Sequence, residues 1–345
     1  MANGASMTQA ISISGVTKTF GAKVAVRDLD LEVPLGRTTA FLGPNGAGKT
    51  TTIRMIMSII FPDRGRIKVL GRASAVESKD RIGYLPEERG VYRKMRVASF
   101  LEYMARLKGV PRRGLKGRVG QWLDRVALTS VARKKCQELS KGMQQKVQFV
   151  AAVIHEPDLI ILDEPFSGLD PVNARLMRQL FHELRGQGRT LIFSTHVMQH
   201  AEELCDHVVM INRGRKVLDD SLAGIRERFD PRALEVEGVE GVPSRELAER
   251  LRKLPGVGSA EAASGHVRVR WSGAGSRQVM AEIVGAEAVR RVEIARPKLE
   301  DIFIDTVIRE GGMDHDGADL SRLRASLQDE GGTPEGAEAV EVRRG

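Results

Sequence analysis

The stretch Gly43-Pro44-Asn45-Gly46-Ala47-Gly48-Lys49-Thr50 decides the fold of this chain. It fits the pattern GxxxxGK followed by Ser or Thr, in which the glycines let the backbone wrap a phosphate and turn successive N–H groups toward it. Residues 37–42 before it read as a strand, and Ile53, Ile56 and Ile60 after it recur at helical spacing. The pattern requires this order of strand, loop and helix, so we predict an α/β fold that binds a nucleotide.

The residues at the end of the loop have separate predicted roles. Lys49 is expected to pair with the β- and γ-phosphates, and the Thr50 hydroxyl is expected to ligate Mg²⁺. Thr51 adds a contact to the α-phosphate. A glycine-rich turn without a ligand is the alternative, and the strand and helix around the loop argue against it. We therefore predict ATP and Mg²⁺ as the ligands.

Two carboxylates end a second apolar strand, Leu159-Ile160-Ile161-Leu162-Asp163-Glu164. Asp163 is expected to hold Mg²⁺ through water, and Glu164 to orient or deprotonate the attacking water. His196 ends a third strand and is expected to reach the γ-phosphate. Alone, such a histidine is more often structural than catalytic, and two acids can simply end a strand. The phosphate loop upstream favours the catalytic interpretation of all three residues.

Composition narrows the classes of partner. The net charge is +9 with only 4% aromatic residues, and residues 311–345 are acidic, so the remainder carries about +13. Surfaces that stack nucleic-acid bases need aromatics, so we expect no nucleic-acid partner, although a basic surface leaves that alternative open. Cys136 and Cys205 show no disulfide framework, which suits a reducing compartment. No run approaches the roughly 18 apolar residues of a membrane-spanning helix, so we expect a cytoplasmic chain that reaches the membrane through a partner.

The pattern of elements predicts two domains and a tail. Strands and helices alternate through residues 8–225, with a region of helices at about 88–138 that is broken near 109–120. Residues 226–310 form a separate accessory domain, which reads as βαββαβ over 233–295, the order of a ferredoxin-like α+β fold, followed by an amphipathic stretch at 299–308. The Gly- and acid-rich tail, residues 311–345, is predicted to be disordered.

A further motif, Leu139-Ser140-Lys141-Gly142-Met143, stands between the glycine loop and Asp163. With it, the chain resembles the ATP-binding subunits of ABC transporters over residues 11–225, which implies a P-loop NTPase fold of the ABC type. The family's signature is Leu-Ser-Gly-Gly-Gln, whose serine and second glycine contact the γ-phosphate bound by an opposite subunit. The resemblance carries those roles to Ser140 and Gly142, with Met143 completing the motif. It also implies that Phe20 stacks on adenine, where a tyrosine is commoner, and that residues 167–170 cross a dimer interface.

The sequence departs from the family at Glu87, where most members have a glutamine that contacts Mg²⁺ or water. Glutamate can also ligate Mg²⁺, but it adds a negative charge beside Glu164. The surrounding Pro-Glu-Glu-Arg-Gly and the signature resemble a sub-branch of exporter subunits that pair with ABC-2-type permeases. That sub-branch, which includes sodium-extrusion and drug-resistance systems, carries a small C-terminal domain.

Together these features predict an ATPase that forms a homodimer or pseudo-dimer around two Mg·ATP and drives a separate permease, with export favoured by resemblance. The chain would then lie at the inner face of the cell membrane. A soluble ABC ATPase, such as an iron–sulfur assembly component, is the alternative function. His196 and His200 also have the spacing of helical zinc ligands, but the glutamate of a zincin motif is missing.

Overall fold

The computed structural model describes residues 8–88, 90–229, 232–273 and 275–311. The chain divides into two compact units. The first takes the chain up to Leu222 and again from Phe303, and the second is Ala223–Ile302. The predicted disordered tail lies outside the described residues, except for Gly311, which ends the last helix.

The first unit is built on two sheets. Its strands are β1 (Gln9–Phe20), β2 (Lys23–Pro34), β3 (Thr38–Leu42), β4 (Arg64–Val69), β5 (Ile82–Leu85), β6 (Leu159–Asp163), β7 (Thr190–Thr195), β8 (His207–Asn212) and β9 (Arg215–Ser221). The main sheet has the order β5-β6-β7-β3-β8-β9, with β9 antiparallel to β8 and the other pairs parallel. The second sheet, β2-β1-β4, is antiparallel.

Burial explains the main sheet. Every residue of β3, β6 and β7 is buried, as expected for central parallel strands that are covered on both faces. The helices of this unit are α1 (Lys49–Ile56), α2 (Val97–Leu107), α3 (Leu115–Arg125), α4 (Lys141–Val153), α5 (Pro171–Gly186) and α6 (Met198–Leu204). One apolar core joins the two sheets and α1, and it includes Ile13, Leu31, Phe41, Ile53 and Ile161. The predicted α/β fold is confirmed.

The break in the helical region is shorter than the sequence suggests. The glycines near 109–120 predicted an irregular segment, but α3 begins at Leu115 and contains Gly117 and Gly120. Leu115, Val119 and Trp122 are buried at helical spacing. Their packing outweighs a helix penalty of about 1 kcal/mol per glycine.

The second unit has the predicted ferredoxin-like order. Its elements are α7 (Leu222–Arg228, which begins on the last residue of the first unit), β10 (Ala233–Gly238), α8 (Ser244–Leu251), β11 (Val257–Ala263), β12 (His266–Trp271), α9 (Ser276–Ala286) and β13 (Val289–Ile294). The sheet order is β11-β12-β10-β13, with every pair antiparallel. Leu234, Val236, Leu247, Val267 and Ile283 belong to its core.

The last helix, α10 (Leu299–Gly311), contains the boundary between the units, since residues from Phe303 onward are assigned to the first. Leu299, Ile302 and Phe303 are buried, which agrees with the amphipathic pattern. Among the described residues, no helix has the length and apolar character needed to span a membrane.

Candidate functional site

The phosphate loop connects β3 to α1. Gly48 is the N-cap of α1 with φ 109°, and no side chain caps the helix, so its first N–H groups face the loop. The loop also approaches its neighbours closely. A Cβ on Gly43 would lie 2.1 Å from the Ile211 carbonyl oxygen, and one on Gly48 would lie 2.6 Å from that of Ala25. Glycine is therefore required at both positions.

The side chain of Lys49 is held over the phosphate loop by two backbone carbonyl groups of that loop. Its Nζ donates to the carbonyl oxygens of Gly43 at 2.7 Å and Pro44 at 3.2 Å. The same atom lies 3.8 Å from Glu164 Oε1, and the residue is only 5% exposed. Burial lowers the pKa of Lys49, although the nearby carboxylates oppose that shift. A buried cation of this kind gains a strong partner when an anionic phosphate reaches the loop.

Asp163 is the most enclosed carboxylate of the site, at 1% exposure. Its Oδ1 accepts hydrogen bonds from Thr50 Oγ1 at 3.3 Å and from Ser194 Oγ. Burial raises the pKa of Asp163, and these two hydrogen bonds oppose the rise. Its Oδ2 is buried without a hydrogen-bond partner among the described residues. A buried carboxylate oxygen without a hydrogen-bond partner is suited to binding a cation. Carboxylate and hydroxyl oxygens are the atoms that Mg²⁺ prefers, so Thr50 and Asp163 fit their predicted role as its ligands.

Glu164 follows β6 with its backbone at φ 47°, a left-handed conformation that is uncommon for glutamate. Its N–H donates to Ser194 Oγ at 3.1 Å, and its Oε1 lies 3.0 Å from His196 Nδ1. The strained turn, fixed by Ser194, directs the Glu164 carboxylate toward Lys49 and His196. The structure thus brings together the end of β6, the end of β7 and the phosphate loop.

Glu87 stands at the start of the loop after β5, with its side chain partly exposed. Partial burial raises its pKa, and the negative charges of Asp163 and Glu164 add to the rise. Lys49 and Arg54 act in the opposite direction, and Arg54 also pairs with Glu88 at 3.2 Å. The carboxyl of Glu87 therefore lies within electrostatic reach of Asp163 and Glu164, and its predicted role at the Mg²⁺ stays a prediction.

The signature begins α4. Ser140 is the N-cap, and its Oγ accepts from Met143 N at 3.3 Å. A Cβ on Gly142 would lie 3.6 Å from Leu169, which places the signature beside the loop at residues 167–170 of the same chain. Within the described residues, no hydrogen bond or ion pair connects the signature to the phosphate loop.

Phe20, the predicted adenine-stacking residue, ends β1 and is 50% exposed. Lys18 Nζ lies 5.4 Å from the centre of its ring, and Lys18 also pairs with Asp63 at 2.8 Å. An exposed ring at the end of a strand is available for stacking on a base. Its role, like those of Thr51 and the signature residues, stays a prediction.

Three polar residues that sequence reasoning did not identify form hydrogen bonds beside the predicted site residues. Ser194 contacts both Asp163 and Glu164, because β6 and β7 pair with Asp163 opposite Ser194. Gln145 and Gln148 on α4 donate hydrogen bonds to backbone carbonyl groups in two acidic loops, the one that contains Glu164 and the one that contains Glu87. A serine at the buried end of a strand, and glutamines on the buried face of a helix, were the available signals. In the part of the chain that the structure describes, no group of three or more His, Cys, Asp or Glu residues is arranged to hold a metal.

Comparison with known proteins agrees with this geometry. Residues 26–167 match the family model described as ABC transporter, and residues 221–307 match the model described as ATP-binding protein DrrA1-3-like, C-terminal domain. A solved structure titled as the ATP binding subunit of an ABC transporter aligns with a TM-score of 0.60 and 30% identity, covering 64% of this chain and 93% of that one.

Curated relatives match over most of their length. The uncharacterized ABC transporter ATP-binding protein YhaQ of Bacillus subtilis is 40% identical over 86% of this chain and 98% of its own. The Nod factor export ATP-binding protein I of Rhizobium sp. is 34% identical over 87% of this chain and 98% of its own. NatA of Bacillus subtilis, an ABC transporter ATP-binding protein, is 38% identical over 59% of this chain and 84% of its own. The chain belongs to the family of ABC transporter ATP-binding proteins, which hydrolyse ATP to power transport.

Proposed function

We propose that two copies of this chain, or one copy and a close relative, close around two Mg·ATP and drive an ABC-2-type permease that exports its substrate. The chain would act at the inner face of the cell membrane, held there by the permease. The observation that carries the proposal is the joining of Lys49, Asp163, Glu164 and His196 at the ends of three adjacent parallel strands.

In the proposed reaction Glu164 acts as the general base. His196 Nδ1 at 3.0 Å fixes the direction of the Glu164 carboxylate, and the strained turn at φ 47° holds its backbone. Glu164 accepts a proton from water as the water attacks the γ-phosphate, while His196 helps to hold that water in line. Lys49 exchanges its two neutral carbonyl partners for phosphate oxygens and stabilises their charge.

Thr50 and Asp163 would hold Mg²⁺, with Glu87 as an additional ligand. The ion would neutralise charge on the phosphates. The unpartnered Asp163 Oδ2 supports this assignment, and the Thr50 hydroxyl already lies 3.3 Å from Oδ1 of the same carboxylate.

The separation of the signature from the phosphate loop supports pairing of two chains. Ser140 and Gly142 lie at the start of α4, and among the described residues no hydrogen bond joins them to Lys49, whose Nζ donates to Gly43 and Pro44. We therefore assign two half-sites to each chain. In the proposed dimer, Ser140, Gly142 and Met143 contact the nucleotide held by the loop of the other copy, and Phe20 stacks on adenine in its own copy.

An apolar groove just after the Glu87 loop is suited to the permease. It has a volume of about 470 Å³ and is lined by Tyr92, Arg93, Lys94, Met95 and Tyr103. Tyr92 is 51% exposed and Tyr103 is 40% exposed, and their rings meet edge to face at 5.7 Å. Exposed tyrosines with a basic rim favour a protein segment with apolar and acidic side chains.

The proposed direction of transport, export, is based on the proteins to which this chain is similar. The Nod factor protein named for export aligns with nearly its whole length, and the second unit matches the DrrA1-3-like C-terminal domain. An iron–sulfur assembly role is the competing function, and it predicts a soluble partner.

Copurification tests the partner. We expect the tagged chain to bring a polytopic membrane protein out of detergent-solubilised membranes. Replacing both Tyr92 and Tyr103 with Ala should remove that protein without affecting ATP binding, because the groove is separate from Lys49. Val284→Ala, at another exposed apolar residue, is the control and should keep the partner. Recovery of only a soluble scaffold protein would contradict the transport assignment.

A further inference from the structure

Helix α4 carries two buried glutamines that reach the two acidic loops of the site. Gln145 donates through Nε2 to the carbonyl oxygen of Pro165 at 3.3 Å, and Gln148 donates to that of Glu88 at 3.4 Å. Each acceptor belongs to the residue directly after a predicted functional carboxylate, Glu164 or Glu87. We propose that Gln145 and Gln148 are positioning residues through which α4 sets these two carboxylates. The inference rests on the proposed function of the site.

Gln148 is an unusual residue to find in a core. It is 6% exposed, and its Oε1 is buried with no hydrogen-bond partner among the described residues. Such an unpaired amide oxygen destabilises a fold, and an apolar residue of the same shape would avoid that cost. Its N–H bond to Glu88 is long, in the way that hydrogen bonds in active sites often are before substrate binds and they tighten. The amide is therefore better explained by what it does for the Glu87 loop than by stability.

Gln145 stands three residues earlier and so lies on the same face of α4. It is 4% exposed, and its bond to Pro165 holds the turn that follows Glu164. On the β7 side of the same turn, Ser194 accepts a hydrogen bond from the Glu164 N–H at 3.1 Å. Gln145 and Ser194 thus hold the Glu164 turn from two sides.

The same helix begins at the signature, since Ser140 is its N-cap. Its opposite end packs tightly on β5, where a Cβ on Gly83 would lie 2.1 Å from the carbonyl oxygen of Ala152. A regular helix held in this way moves as one body. When Ser140 engages nucleotide held by the other copy, a small shift of α4 therefore reaches Glu164 and Glu87 of its own copy. The two sites of a dimer would be linked through these amides.

The simple alternative is that both amides only satisfy backbone carbonyls. The variants Gln148→Met and Gln145→Met separate the two explanations, because methionine keeps the length of the side chain and removes the donor. His155→Leu is the matched control. His155 Nε2 lies 3.2 Å from the carbonyl oxygen of Ile82, at the opposite end of β5 from Glu87. It therefore loses a comparable buried contact on the same strand, away from the carboxylates.

The experiment is steady-state ATP hydrolysis over a Mg²⁺ titration, with the free energy of unfolding measured for each variant. Loss of a residue that orients a metal ligand costs about tenfold or more. We expect Gln148→Met to raise the Mg²⁺ concentration for half-maximal rate about tenfold with a much smaller change in kcat. Gln145→Met should lower kcat about tenfold at unchanged Mg²⁺ requirement. His155→Leu should change neither quantity, whatever it costs in stability.

A double-mutant cycle completes the test. If Gln148 acts through Glu87, the Mg²⁺ effect of Gln148→Met should disappear in a Glu87→Ala background. Gln variants that match His155→Leu in both kinetic quantities would overturn the inference, as would full additivity with Glu87→Ala. If the proposed function of the site itself were wrong, the result would be different, because Glu164→Gln would then retain turnover in the same assay.

Discussion

At the residue scale, the assignment of Glu164 makes the sharpest prediction. Glutamine keeps the shape of Glu164 and its contact with His196, but it cannot take a proton from water. Glu164→Gln should therefore bind ATP normally and lose about a hundredfold or more of its turnover. Phosphate release and nucleotide binding, measured side by side, check this result. Turnover within a few-fold of the parent would exclude Glu164 as the general base.

His155 predicts a measurable pH dependence of stability. Burial lowers its pKa from 6.5 to about 4, and the cation of Lys108 adds to the shift. Between those values the unfolded chain binds a proton that the folded chain does not, so this contribution is complete above pH 6.5 and is lost as the pH falls toward 4. Relative to His155→Leu, the parent should lose free energy of unfolding over this interval. Denaturant unfolding of both proteins at pH 7 and pH 5 measures it, and parallel losses would contradict the assignment.

Some residues of the candidate site could be predicted from the sequence, and others became visible only in the structure. Lys49, Asp163, Glu164 and His196 stand in motifs or at strand ends, so residue type and spacing were enough to predict them. Ser194 and Gln148 act through contacts that the sequence does not display. Ser194 lies 31 positions from Asp163 and meets it only because β6 and β7 pair in that register. Positioning residues of this kind can be identified only from the tertiary structure. The phosphate-binding residues, by contrast, lie in a short continuous motif that the sequence displays.

At the scale of elements, the contact of β5 with α4 predicts a pair of opposite effects. Gly83→Ala would place a methyl group 2.1 Å from the Ala152 carbonyl oxygen, so it should destabilise the fold by about 1–3 kcal/mol. Gly120→Ala makes the same change on α3, where no atom lies within 4 Å, and should stabilise by about 0.5–1 kcal/mol. Urea unfolding distinguishes them. Equal effects would mean that α4 does not pack closely on β5.

Strands and helices could be predicted from the sequence where the apolar residues follow a single clear pattern, either a continuous run or a regular spacing. The apolar runs of β6 and β7, and the alternation of β12 between Val267, Arg268 and Val269, predicted strands. The start of α3 was missed because Gly117 and Gly120 lie on its exposed face. There they cost helix propensity without disturbing the buried face.

At the scale of the whole molecule, the charge of the chain offers a separate prediction. Without residues 311–345 the chain has a net charge of about +13, which would allow nonspecific binding to nucleic acid, but its low aromatic content argues against such binding. We expect no retardation of DNA or RNA by the purified chain at physiological salt. Retardation that weakens steeply with added salt would favour the nucleic-acid alternative.

The central claim is that each chain holds two half-sites and that ATP joins two chains. The most direct measurement is the molar mass in solution of Glu164→Gln, with and without Mg·ATP. The mass should double with Mg·ATP, because the disabled base keeps the nucleotide trapped between Lys49 of one copy and Ser140 of the other. Adding Ser140→Arg should keep the chain monomeric. A mass that stays at one chain with saturating Mg·ATP would contradict the account.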